Sequence, residues 1–124
     1  MTLKNAIEKF DREYRNSVPA DLKREWIAFL DASVYNEIFL THEDDPYGGY
    51  TDYSEDTPEE TVLLVPDPYS RLYLSYLAMK TDLYLGDVSR YNNDRAVFTS
   101  AYGDFEKYYN RTHLPLKLTD SFNV

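Results

Sequence analysis

Apolar residues recur at helical spacing in four stretches of this chain. Leu3, Ala6, Ile7, Phe10 and Tyr14 follow the i, i+3, i+4, i+7 rule, which predicts a helix over 2–15 with one narrow apolar stripe and Thr2 as its N-cap. From Pro19 onward, Leu22, Trp26, Phe29, Leu30, Val34 and Ile38 keep the period to about 41. Ser17 is placed to cap this second helix (19–41), Asp21 suits its first turn, and Lys23, Arg24, Asp31 and Glu37 fall on its outer face. A third helix, 67–85, reads as capped by Asp67, opened by Pro68 and stopped by Gly86. Tyr69, Leu72, Tyr76, Met79 and Leu83 line one of its faces. Leu74, Leu77, Ala78 and Leu85 line a second, leaving only Arg71, Ser75 and Asp82 plainly polar. The fourth, 87–110, carries Tyr91, Phe98, Tyr102, Phe105 and Tyr109, with Val97 and Ala101 beside them. Only Gly86 and Asp87 separate helices three and four, so the two should form an antiparallel hairpin. The pattern is that of a single all-α domain over 1–124, a bundle of four main helices with a loop at 42–66 and an extended tail at 112–124.

Two short pieces break the helical period. Thr61–Val65 is apolar and β-branched and is followed by Pro66, which suits either a short strand or an extended segment tucked under the bundle. In the tail, Leu114, Leu116 and Leu118 alternate, so an extended tail has one apolar face and needs a partner for its backbone.

Charge sharpens the picture of the loop. The 124-residue chain has 22 acidic and 13 basic residues, a formal net charge of -9. Eight of the acids (Glu43, Asp44, Asp45, Asp52, Glu55, Asp56, Glu59 and Glu60) lie between residues 43 and 60, where there is no base. Outside that window 14 acids face 13 bases, so one segment carries almost the whole imbalance. Pro46, Gly48, Gly49 and Pro58 interrupt it, as in a long loop. An acidic balance of this size argues against general nucleic-acid binding, which needs clustered Lys and Arg. The chain has no cysteine, which removes disulfide scaffolds, thiol nucleophiles and Cys-based zinc sites and weakly suits a reducing compartment. No apolar run reaches the roughly 20 residues that span a bilayer, and the charged N-terminal stretch does not read as a secretory signal.

Candidate chemistry is sparse. His42 and His113 are far apart in sequence and each ends a predicted helix, where a capping or surface role is expected. Counted from Asp44, a calcium loop would place Pro46 at position three and glycine at five, so the EF-hand pattern fails. Asp94, Asp104 and Glu106 read as ordinary surface partners of Arg90, Lys107 and Arg111. There is no phosphate-cradling glycine loop and no nucleophile elbow, and the sequon Asn110-Arg111-Thr112 is expected to be idle. The expectation is therefore no catalytic residue, no cofactor and no metal. Thirteen tyrosines are the unusual feature. Tyr47, Tyr50 and Tyr53 recur every three residues inside the acidic loop, where a purely solvated loop has no use for them. They suit a protein contact or packing against their own bundle.

WIAFLDASVYNEIF (Trp26–Phe39), TVLLVPDPYSRLYLSYLAMKTDLYLGD (Thr61–Asp87), RYNND (Arg90–Asp94) and YYNRTHLP (Tyr108–Pro115), in this order, resemble a small helical protein of prophages and tailed phages of Gram-positive bacteria. The resemblance covers about 20–115 and is similar to head–tail connector, or head-completion adaptor, proteins. It implies a helical bundle with a long loop. The assembly it implies is a ring of about a dozen copies docked on the portal protein in the virion neck, with DNA passing through the channel. The ring would have a stopper or tail-completion protein as its further partner, no membrane association and no specific nucleic-acid contact. It would be made in the bacterial host cytoplasm. Tyr47, Tyr50, Tyr53, Leu114, Leu116 and Leu118 are then the expected partner contacts. The rival expectation is an acidic DNA mimic or inhibitor module acting on a host DNA-binding protein.

Overall fold

A computed structural model describes residues 1–43 and 49–116. Four α-helices build it, and among the described residues there is no strand. The first, α1 (Leu3–Glu13), opens on a capping box. The Thr2 hydroxyl accepts from the Asn5 N–H at 3.1 Å, and the Asn5 side-chain oxygen accepts the Thr2 N–H in return. Leu3, Ala6 and Phe10 are its buried edge, as the spacing predicts.

The second helix, α2 (Ala20–Glu37), departs from expectation in its start and in its phase. Ser17 does not cap it, and Pro19 at the N-cap offers no side-chain acceptor. The turn before it is held by Asn16, whose side chain accepts from the Val18 N–H and donates to the Tyr14 carbonyl. Its buried face is Lys23, Ile27, Leu30, Asp31, Val34 and Tyr35, so Lys23 and Asp31 are inside rather than on the outer face, and Phe29 is 67% exposed. Buried polar groups at these positions have partners that hydropathy cannot see. Lys23 Nζ lies 2.5 Å from Asp11 of α1 and stands over the Phe10 ring, 5.9 Å from its centroid. A 3-10 turn, Phe39–Thr41, replaces the last helical turn, and the Thr41 hydroxyl donates to the Ile38 carbonyl at 2.6 Å.

A second 3-10 turn, Tyr69–Arg71, precedes α3 (Leu72–Leu85), which therefore starts later than 67. Asp67 caps neither the turn nor the helix; its carboxylate accepts the Ser70 hydroxyl instead. Gly86 ends α3 at φ 75°, a left-handed conformation that glycine adopts without a Cβ penalty. Asp87 then caps α4 (Val88–Thr112) by accepting from the Arg90 N–H at 3.1 Å. The two helices form the expected hairpin and make the most extensive contact in the molecule.

The core lies where α1, α2, α3 and the second half of α4 meet. Phe10, Ile27, Phe39, Tyr73, Leu77 and Phe105 are almost wholly enclosed there. Leu63, Leu64 and Val65 are buried in it without forming a strand, and the chain bends at Leu64 and Val65; the segment is tucked into the bundle. The extended segments are stitched by two isolated antiparallel bridges. Thr2 pairs with Val62, through Leu3 N–H to Thr61 O and Leu63 N–H to Met1 O, each 2.9 Å. His42 pairs with Pro115, through Glu43 N–H to Leu114 O at 2.8 Å and Leu116 N–H to Thr41 O at 2.9 Å.

Candidate functional site

Asp31 is the polar centre of the core. It is fully buried in the middle of α2, yet both its oxygens have donors. Oδ1 accepts the Tyr73 hydroxyl of α3 at 2.5 Å. Oδ2 accepts the Tyr53 hydroxyl at 2.7 Å and the Leu64 N–H at 3.1 Å. The Tyr73 oxygen also accepts the Val65 N–H at 2.8 Å. One carboxylate thus fastens α2, α3, the 49–60 stretch and the buried 63–65 strip. Burial holds the Asp31 carboxyl above its ordinary range, against the opposing pull of its three donors. Burial and the adjacent Asp31 also push the Tyr53 and Tyr73 hydroxyls well up, so they remain protonated donors.

Tyr53 is therefore engaged with its own bundle. So is Tyr50, whose ring stacks on Tyr35 with centroids 5.3 Å apart and meets Tyr53 edge-on at 5.6 Å. Both pack against their own bundle and remain partly exposed. Tyr47 lies outside the described residues, as do Asp44, Asp45 and Leu118. The remaining acids of the stretch (Glu43, Asp52, Glu55, Asp56, Glu59 and Glu60) are all exposed. Arg24 holds this stretch in place by donating to the Thr57 carbonyl at 2.7 Å.

A second buried carboxylate, Asp82 on α3, sits where α1, α3 and α4 meet. The Tyr14 hydroxyl donates to its Oδ1, and Arg90 Nε stands 4.0 Å away. Its Oδ2 is enclosed without a partner. Burial, then the hydrogen bond and charge of Asp82, push the neighbouring Asp94 carboxyl up to about 6, while Arg90 pulls it down. Burial and the bond to Asp82 likewise raise Tyr14 to about 12. Sequence spacing placed Asp82 and Asp94 on polar surfaces, but the hairpin turns them toward each other.

The histidines, distant in sequence, also meet. His42 is buried, with Nδ1 2.6 Å from the Ile38 carbonyl and Nε2 2.8 Å from the Asn110 side chain. His113 stacks flat on Tyr109 at 3.8 Å, and the His42 ring meets the same tyrosine edge-on at 4.7 Å. Both rings pack the junction between the end of α2 and the end of α4. Among the described residues no three His, Asp or Glu side chains converge on a point that suits a metal ion.

The surface has two apolar ends. At the turn of the α3–α4 hairpin, Leu83, Tyr84, Leu85 and Val88 are 55–69% exposed within six residues. Tyr84 meets the half-buried Trp26 edge-on, with Lys80 over the indole, and Phe29 stands one turn along α2 from Trp26. Past the other end of α4, Leu114 and Leu116 are 67% and 46% exposed even though their backbone is paired. No described helix is long and apolar enough to cross a membrane. The chain matches no family model, no curated protein and no solved structure.

Proposed function

We propose that this protein is a structural subunit that works by assembly: a head–tail connector, or head-completion adaptor, of a tailed phage or prophage, docked on the portal ring and joining it to the tail. The observation that carries this reading is the hairpin turn, where Leu83, Tyr84, Leu85 and Val88 are each more than half exposed within six residues. Apolar side chains gathered at one end of a domain suit contact with a partner. A ring also needs two unlike surfaces, because head-to-tail contacts close it. The leucines at 114 and 116 supply a second, about 36 Å away at 1.5 Å per residue of α4. The resemblance of the 20–115 stretch to connector proteins supplies the kind of assembly.

In the fuller form of this reading, the exposed acids of the 43–60 stretch and the leucines at 114 and 116 face the portal and the stopper. The exposed loop acids line the channel, where they repel phosphate and let the duplex slide. No bond chemistry, cofactor or membrane enters, and the protein is made in the host cytoplasm and works in the virion neck.

The test is co-expression with the portal protein of the same genome, read by sedimentation velocity. The wild type is expected to sediment with the portal, and Leu83→Asp with Val88→Asp is expected to abolish this. Both positions are exposed, so the melting temperature should move by no more than about 2 °C. Failure of the wild type to join the portal, with capture of a host DNA-binding enzyme instead, would select the DNA-mimic alternative. Replacing Asp52, Glu55, Asp56 and Glu59 by Lys with DNA delivery unchanged would remove the channel role of the acids.

A further inference from the structure

A cleft of about 480 Å³ opens between the first two turns of α2 and residues 53–55. Its walls include the apolar Leu3, Leu22 and Ala28, while Asp21, Glu25 and Glu55 are exposed at its edge. Asp21 and Glu25 stand at i and i+4 on one helix face, where like charges repel. The ion pairs among the described residues join Lys23 to Asp11, Arg71 to Glu13 and Arg90 to Asp82, so none of the three cleft acids is neutralised. Arg24 also lines the cleft, and its Nη2 is turned to the Ser54 and Thr57 carbonyls. The uncapped N-terminus of α2 adds about half a positive charge. Three carboxylates against one guanidinium and that half charge leave the cleft negative, so a cation is favoured over an anion.

We propose that this cleft is a docking site for an arginine side chain presented between apolar residues by a partner protein. The volume and the apolar residues of the wall suit an aliphatic stem. The paired carboxylates at 21 and 25 suit a guanidinium, which bonds two acceptors at once where an ammonium acts as a point charge. The site is distinct from the exposed hairpin turn and stands whether or not the assembly is a phage neck.

The experiment is a titration of the ¹⁵N-labelled full chain with the peptide acetyl-Leu-Arg-Leu-amide, with acetyl-Leu-Glu-Leu-amide as control. Saturable amide shifts confined to residues 19–28 and 53–55 are expected, with a Kd of about 1 mM, a reasonable value for one anchored side chain. Asp21→Asn with Glu25→Gln should weaken binding at least about fivefold, the loss of a charge-assisted pair. The spectrum elsewhere should not change, because both positions are exposed. Three outcomes overturn the proposal: no shift at about 10 mM peptide, an equal response to the Glu peptide, or shifts spread evenly over Glu43, Asp52, Glu59 and Glu60. The last would mark diffuse charge attraction.

Discussion

Asp31 and Asp82 are both wholly enclosed acids, one on α2 and one on α3, and the molecule treats them differently. Asp31 is met by three donors from three segments, so its burial is compensated. Asp82 has a single hydroxyl, from Tyr14, an arginine at the limit of ion-pair distance and one oxygen with no partner. The contrast teaches where the fold is committed and where it has slack. Around Asp31 nothing can leave without orphaning another group. Around Asp82 one enclosed oxygen has no partner, and the acid's charge helps raise the neighbouring Asp94 carboxyl to about 6. Asp31 is thus satisfied by architecture, whereas Asp82 is only partly satisfied.

The most severe way to break this contrast is Asp31→Ala. It leaves two tyrosine hydroxyls and the Leu64 N–H without an acceptor, and we expect a loss of about 3–5 kcal/mol in chemical denaturation, enough to unfold many domains of this size. Asp82→Ala removes one bonded and one unbonded oxygen, so its cost should be clearly smaller. An equal cost would end the distinction. Next, Tyr73→Phe removes a donor to Asp31 and the acceptor of the Val65 N–H, and should cost about 1–3 kcal/mol. Tyr53→Phe removes one donor at a half-exposed site and should cost about 1 kcal/mol.

The third test uses pH. Asp94 has a folded pKa above its unfolded value, so the folded state binds its proton more tightly. That contribution to stability is complete below about pH 4 and is lost as pH rises through about 6. Asp94→Asn should therefore flatten the change in stability between pH 4 and 7 and raise stability at pH 7. Partial exposure of the side chain limits the effect to about 1 kcal/mol. Asp31, also held up by burial, adds dependence of the same sign that the substitution leaves untouched. The smallest effect is that of Arg90→Ala. It removes the group that lowers Asp94, so the Asp94 carboxyl, followed by NMR titration, should move above 6 with little change in stability.

Much of this arrangement was legible in the residues. The α1 stripe with its Thr2 cap, the stop at Gly86 and the hairpin that follows are local devices, and local spacing finds them. The phase of α2 was not legible. Hydropathy puts Asp31 and Lys23 in water and Phe29 in the core, because it prices each side chain without its partners. Asp31 is buried only because Tyr53, Leu64 and Tyr73 reach it from 22, 33 and 42 residues away. A signal did exist. Thirteen tyrosines bring thirteen hydroxyls, and those that are buried need acceptors, which an apolar core can find only in a carboxylate or a carbonyl. The exposed hairpin turn was hidden for the opposite reason. Leu83 and Leu85 read as faces of a central helix, yet in the last turn before Gly86 both are more than half exposed.

The two backbone bridges carry a consequence for the order of events in folding. Thr2 with Val62 and His42 with Pro115 join points 60 and 73 residues apart, each through a pair of bonds. The hairpin across Gly86 closes over two residues and collapses on the local timescale of helices. The bridges must wait for long stretches of chain to come round. The first is anchored by the buried Leu3 and Leu63, whereas the bonds of the second run through the exposed Glu43, Leu114 and Leu116. The second is therefore the seam that parts first when the chain breathes, so amide protons at Glu43 and Leu116 should exchange long before those of Tyr73 and Leu77.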